Sequence, residues 1–260
     1  MTWKTLQEHE AHYLPFFQDD YRRKSLESLV KRHVTGKRIL DLRCLTGHLA
    51  VDLALAGYDV TALDGLAEAV ATANAHGRSR GLTRDIARFW DVNHLTEAIG
   101  GARFDTVLCL DTLQHTDDSG VLLAQVRQAI VPGGRLIINA PAFPALHGKR
   151  DAVLGHLRRY TRGQFRALIE RHGFAIERLR WWNFTGLPLY WLLEGVLKLE
   201  VKESLRHGRR GPVNRILNPL LRVWYQTVEN HVPLPCGLTL IAVGRMPGGS
   251  AQVGTVTDEA

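Results

Sequence analysis

From Arg38 onward, short apolar runs ending in Gly or Asp alternate with stretches of helical spacing, and this rhythm constrains the fold more tightly than any other feature. Strands buried on both faces read as brief continuous apolar runs, and parallel neighbours need a crossover between them, usually a helix. Five such runs are predicted as strands: Arg38–Asp41, Asp59–Leu63, Ile86–Trp90, Thr106–Leu110 and Arg135–Asn139. A last strand at Leu238–Gly244 completes the sheet. Leu49–Ala56, Leu66–His76 and Val121–Ile130 carry apolar residues at helical spacing, with stops at Gly57, at Gly77 and at the Pro132-Gly133-Gly134 turn. A further helix is expected at Gly163–His172, capped by Gly173. The pattern predicts an α/β fold with a mostly parallel sheet flanked by helices.

A chain of 260 residues buries one sizeable core. The expected division is an N-terminal helical segment at 1–35, a main domain at 36–245 and a flexible Gly/Ser/Thr-rich tail at 246–260. Within the main domain, 181–235 reads as a hydrophobic and basic helical insertion late in the chain. Its segment Trp181–Leu199 contains Asn183, Pro188, Glu194 and Lys198, which argues against a membrane-spanning helix. Three readings stay open: core packing or a dimer contact, a lid in which Leu187 and Trp191 cover a hydrophobic substrate, and a peripheral contact with an anionic membrane. The third draws on the neighbouring Lys202, Arg206, Arg209, Arg210 and Arg215. Nothing in the sequence specifies an oligomeric state.

Cys44, Cys109 and Cys236 are odd in number and widely spaced, which suits neither a disulfide framework nor a paired-thiol zinc site. Met1–Asp20 mixes charges with aromatics and lacks an unbroken apolar run, so a cytoplasmic protein is expected. The net charge of +7 is compatible with anionic partners, but aromatic and basic residues do not interleave as a nucleic-acid module requires. No metal-binding motif, Walker loop or Ser-His-Asp order is found, so neither a metal nor nucleic acid is an expected partner.

The chemistry concentrates where the first strand ends. In Ile39-Leu40-Asp41-Leu42-Arg43-Cys44-Leu45-Thr46-Gly47-His48, an acid at a strand end precedes a turn and a helix, an arrangement that lets a ligand approach backbone N–H groups. The segment resembles motif I of the class I S-adenosylmethionine-dependent methyltransferases, in which an acid and three alternating glycines surround the cofactor's amino-acid part. Gly47 is the glycine kept, while Arg43 and Leu45 occupy the other two positions. The resemblance covers roughly residues 36 to 245 and implies a Rossmann-like sheet of seven strands with S-adenosylmethionine as cofactor. It implies that Asp64, ending the second strand, accepts hydrogen bonds from the ribose hydroxyls; a solvated turn Asp is the alternative. Asp91 matches the acid that reads the adenine amino group, flanked by Trp90 or Val92; otherwise it is a helix N-cap.

The resemblance also implies that Leu110 stands in the loop beneath the cofactor, and that His115, a few residues on, is where the family commonly places a His near the sulfonium or the substrate. A neutral imidazole accepts a proton near neutral pH, so His115 is the candidate base, with a packing or capping histidine as the alternative. Gly155-His156-Leu157-Arg158-Arg159-Tyr160-Thr161 resembles a His-x-Arg-Arg-Tyr element of a subgroup of the family. Two arginines with a His and a Tyr suit a pocket for a carboxylate or phosphate, which makes His156, Arg158, Arg159 and Tyr160 candidate substrate ligands. The same cluster also reads as a solvated turn paired with Asp151.

The implied activity is methyl transfer to a small-molecule or lipid-like acceptor. The replaced glycines motivate two alternatives: a binding or scaffold module without cofactor, and non-methylating chemistry on the same fold.

Overall fold

The computed structural model describes residues 21–91, 94–197 and 212–248. Residues 1–20, Val92, Lys198, Lys202, Arg206, Arg209, Arg210 and the tail from 249 lie outside the described residues. Among those described, seven strands form one sheet in the order β3-β2-β1-β4-β5-β7-β6. They are β1 (Arg38–Leu42), β2 (Asp59–Asp64), β3 (Ala87–Phe89), β4 (Phe104–Cys109), β5 (Ile130–Pro141), β6 (Ala175–Trp182) and β7 (Thr239–Arg245). The first five run parallel, while β7 lies antiparallel between β5 and β6. Register is set by apolar residues on both faces: Ile39 sits opposite Val60 and Thr106, and Leu40 opposite Thr61 and Val107.

Because successive side chains leave a strand on opposite faces, each strand feeds two cores. Leu40, Leu42, Val107 and Ile138 pack on one side with Phe165 and Ile169 of α7 (Arg162–Arg171). Ile39, Val60, Leu108 and Ile137 pack on the other with α1 (Tyr21–Lys31) and α2 (His48–Leu55), through Leu26, Leu29, Val30, Leu49 and Val51. The remaining crossovers are α3 (Ala67–Ser79), α4 (Leu95–Ile99), α5 (Ser119–Ala129) and the short α6 (Lys149–Val153). Thr161 starts α7 with a capping box: its Oγ1 accepts the Gln164 N–H at 3.1 Å, and Gln164 Oε1 accepts the Thr161 N–H at 3.0 Å.

Three differences from the sequence reading have physical causes. The helix expected to stop at Gly77 runs through it to Ser79; the glycine there serves packing, since a Cβ would meet Leu82 at 3.1 Å and Val51 at 3.6 Å. Pro132-Gly133-Gly134 lies inside β5, and the preceding helix has already ended at Ala129. Strand β6 absorbs Trp181 and Trp182, so the insertion begins at Asn183, with α8 (Gly186–Tyr190) and, later, α9 (Pro212–Trp224). Glu229 fixes that junction, its carboxylate accepting the N–H groups of Asn183 at 3.0 Å and Phe184 at 2.7 Å.

Candidate active site

Strand order reverses at β1, between β2 and β4, which is the topological switch point where open α/β sheets hold ligands beyond their carboxyl ends. The loop leaving β1 has Arg43, Leu45 and Gly47 all in the left-handed region, at φ 59°, 50° and 69°. Arg43 and Leu45 thus adopt the conformation that glycine takes most readily. A left-handed non-glycine residue costs roughly 1–2 kcal/mol. A Cβ at Gly47 would meet that of Ala73 at 2.6 Å, so this third position admits only glycine.

The two side chains go separate ways. Leu45 packs on Leu66 and Ala69. Arg43 Nη1 donates to the Asp111 carbonyl at 2.6 Å, bridging the ends of β1 and β4. Asp111 is itself left-handed, at φ 48°, and is held by Asn139, whose Oδ1 accepts its N–H at 2.5 Å and whose Nδ2 donates to its Oδ1 at 3.1 Å.

Asp41 and Asp64 are both buried at adjacent strand ends. Asp64 accepts the Leu45 N–H at 2.8 Å and the Leu66 N–H at 2.9 Å; burial raises its pKa, opposed first by Arg43 and then by these bonds. Asp41 has the acids Glu27 and Asp64 as its charged neighbours, and burial pushes its carboxyl up to about 8. Asp91 is exposed after β3, with an oxygen 3.4 Å from His94 Nδ1. Trp90 is turned into the core rather than standing free beside Asp91. Leu110, half-buried at the end of β4, packs against the second core.

On the other side of the switch point, the loop of the His-x-Arg-Arg-Tyr element lies against the turn that carries His115. The Leu157 N–H donates to the Gln114 carbonyl at 2.7 Å, and the His115 and His156 rings meet edge to face at 5.0 Å. Burial, then the charges of Arg43 and His156, hold the His115 pKa well below the usual imidazole value. Asp151 is the hub. Its side chain is fully buried and accepts from His156 Nδ1 at 2.9 Å, Arg159 Nε at 2.9 Å, the Gly148 N–H at 3.0 Å and Tyr190 Oη at 3.3 Å. Despite burial, which acts to raise it, the hydrogen bonds and charges of His156 and Arg159 hold its pKa well below the usual carboxylate range.

The four expected substrate ligands are thus brought to one loop, in different settings. Arg159 is spent inward on Asp151, on the Ala142 carbonyl at 3.0 Å and on Tyr190 Oη at 2.6 Å. Tyr160 Oη is buried against Ser119 Oγ at 2.7 Å. Arg158 reaches the Asp117 carbonyl at 2.6 Å from a half-buried position, and His156 faces His115. A reading of Arg159 and Tyr160 as open ligands gives way to one in which burial fixes them as supports. Asp151 was visible in the sequence only as a partner for the arginines, and Tyr190 and Asn139 carried no signal there.

A family model described as a methyltransferase domain matches residues 11–179. The ubiquinone biosynthesis O-methyltransferase of Xylella fastidiosa is 33% identical over 115 residues, 44% of this chain and 46% of that protein. The chain therefore spans about half the length of this relative. An S-adenosylmethionine dependent methyltransferase from Mesorhizobium loti superposes with a TM-score of 0.54 at 19% identity, over 84% of this chain and 95% of that one. The cyclase SpnF gives 0.54 at 17% identity, over 86% and 80%. At such identities the structural likenesses establish the fold.

Proposed function

The chain belongs to the class I S-adenosylmethionine-dependent methyltransferase family, and from that premise we propose that it transfers a methyl group to a hydroxyl of a small-molecule or lipid-like acceptor. The observation that carries this reading is the alternating left-handed conformation of Arg43, Leu45 and Gly47, a conformation that favours glycine at the positions where the resemblance expects the family's glycines. The donor set also suits the group: Asp64 and Asp91 to hydrogen-bond the nucleoside, Asp41 and the Gly47 turn to border the amino-acid part, and Leu110 beneath it. Leu45 is accommodated because it packs on Leu66 and Ala69.

When bound, S-adenosylmethionine supplies an electrophilic methyl group whose leaving group is a neutral thioether. The chain contributes position: Arg43 ties the β1 loop to Asp111, and Asn139 holds Asp111, so both sides of the strand ends are fixed before a ligand arrives. His115, neutral by virtue of its burial, borders the acceptor side, and Arg159 and Tyr160 support the loop that carries His156 and Arg158. Calorimetry with S-adenosylmethionine and S-adenosylhomocysteine tests the reading, and saturable binding of both is expected. Absence of binding by either removes it.

The proposed location is the cytoplasm, with contact at a membrane surface. Among the described residues no helix is long and apolar enough to cross a membrane. Support for surface contact comes from exposed Trp191, Leu192, Val196 and Leu197, followed directly in sequence by the basic run with Lys198, Lys202, Arg206, Arg209 and Arg210. Co-sedimentation with anionic vesicles and not with zwitterionic ones is the expected outcome; equal recovery in both supernatants counts against it.

A further inference from the structure

We propose that His156 is the proton acceptor for the methylated hydroxyl and that Asp151 is the carboxylate that positions it. The inference rests on the methyl-transfer reading and deepens it. Oxygen methylation leaves a proton to be placed: the acceptor oxygen gains a methyl group, its O–H bond breaks, and the leaving sulfur keeps the electron pair of the old bond. One base must therefore take one proton, and two imidazoles stand at the acceptor side.

Geometry separates them. His156 Nδ1 lies 2.9 Å from Asp151 Oδ1, and a carboxylate accepts only, so Nδ1 carries the hydrogen. Nε2 is then the lone-pair nitrogen, and a proton arriving there is stabilised through the ring by a buried carboxylate. The carboxylate cannot drift, because Arg159 Nε, the Gly148 N–H and Tyr190 Oη hold its other oxygen. His115 is buried, feels the positive charges of Arg43 and His156, and hydrogen-bonds the Gly155 backbone. Burial disfavours the imidazolium at both rings, and at His156 the hydrogen bond and charge of Asp151 act against that lowering. The charged groups facing His156 are Asp151 from α6, Arg159 from its own loop and Asp111 from the end of β4, with the His115 ring from the turn beyond it. Burial, the largest influence, holds the His156 pKa below the usual imidazole value; Asp151 and Asp111 act against that lowering and Arg159 adds to it. The arrangement resembles the orienting acid behind a catalytic histidine, where the acid fixes the tautomer and stays ionised.

Nitrogen-15 NMR of the histidine-labelled full chain is the first test. The neutral His156 ring is expected as the Nδ1–H tautomer, and Asp151→Asn should lower its titration midpoint by about one pH unit or more. The tautomer is read on the native chain, so it stands even if that variant fails to fold. A neutral Nε2–H tautomer overturns the proposal. The second test uses catechol as acceptor with S-adenosylmethionine. His156→Gln should lower kcat by roughly 100-fold at neutral pH with little change in KM, and the two rates should converge as pH rises through the ionisation of catechol itself. His115→Gln should instead act mainly on KM. An unchanged kcat in His156→Gln overturns the assignment. Calorimetry with S-adenosylhomocysteine on the same samples separates the two levels: lost binding in the native chain defeats the methyl-transfer reading, while normal binding with an unaltered His156→Gln rate defeats only the role of His156.

Discussion

Asp41 and Asp151 are both buried acids near the carboxyl ends of the same sheet, yet their surroundings drive them in opposite directions. Asp41 has acids as its charged neighbours, and desolvation pushes its carboxyl up to about 8. Asp151 is met by an arginine, a histidine, a tyrosine hydroxyl and a backbone N–H, and is held well below the usual carboxylate range. Burial alone therefore does not set the charge of a carboxyl; the donors within reach do. At the end of β1 burial raises the carboxyl of Asp41, and in the hub at α6 the donors around Asp151 lower its carboxyl.

The sharpest way to break this contrast is Asp41→Asn. A carboxyl whose folded pKa lies above its unfolded value costs nothing while protonated in both states, and its cost grows as pH rises from the unfolded value to the folded one. Native stability relative to the variant should thus fall by about 1.4 kcal/mol per pH unit between about pH 4 and 8, then level off. Urea melts across that range measure it, and a pH-independent difference would show that Asp41 is ionised throughout.

Asp151→Asn should act with the opposite sign, destabilising the fold by about 3 kcal/mol at neutral pH because Arg159 loses its buried counter-charge. The contribution of Asp151 is present above the unfolded carboxyl pKa and lost as pH falls through the lower folded value. The gap between native and variant should therefore narrow in acid, and a gap that widens there contradicts the assignment.

Tyr190→Phe removes one donor from the same hub and leaves the ion pair, so thermal unfolding should report a loss of about 1 kcal/mol. Arg43→Gly should have the smallest effect and a favourable one, a gain of about 1 kcal/mol as left-handed strain is relieved. A loss of stability there would mean that the bond to the Asp111 carbonyl outweighs the strain.

The strand-end acids were legible in the sequence because they sit on a rhythm: Asp41 and Asp64 each end an apolar run, and those runs are strands buried on both faces. Strand β6 escaped the same reading. Ala175–Trp182 carries Glu177, Arg178 and Arg180, and it lies at the sheet edge, where one face meets water and no continuous apolar run is needed. The Asp151 hub was half legible. The His-Leu-Arg-Arg-Tyr string marked the place, but strings do not say which way a side chain turns. Arg159 and Tyr160 face inward because Asp151, Tyr190 and Ser119 wait there, and those partners are drawn from three separate elements. The left-handed state of Arg43 and Leu45 was equally hidden, since residue identity at those positions argues against the conformation they adopt.

The position of β7 has a consequence for the growing chain. Among the described strands β6 pairs with β7 alone, and β5 has only β4 beside it until β7 is inserted between them. During synthesis every element that bears the candidate site precedes β7, so the nascent polypeptide carries its strand-end acids and both histidines while β5 is an open edge and β6 has no partner strand. The final described strand pairs with both at once, and a ribosome that stalls before Thr239 leaves an intermediate with an unpaired β5 margin and an undocked β6 rather than a smaller working domain.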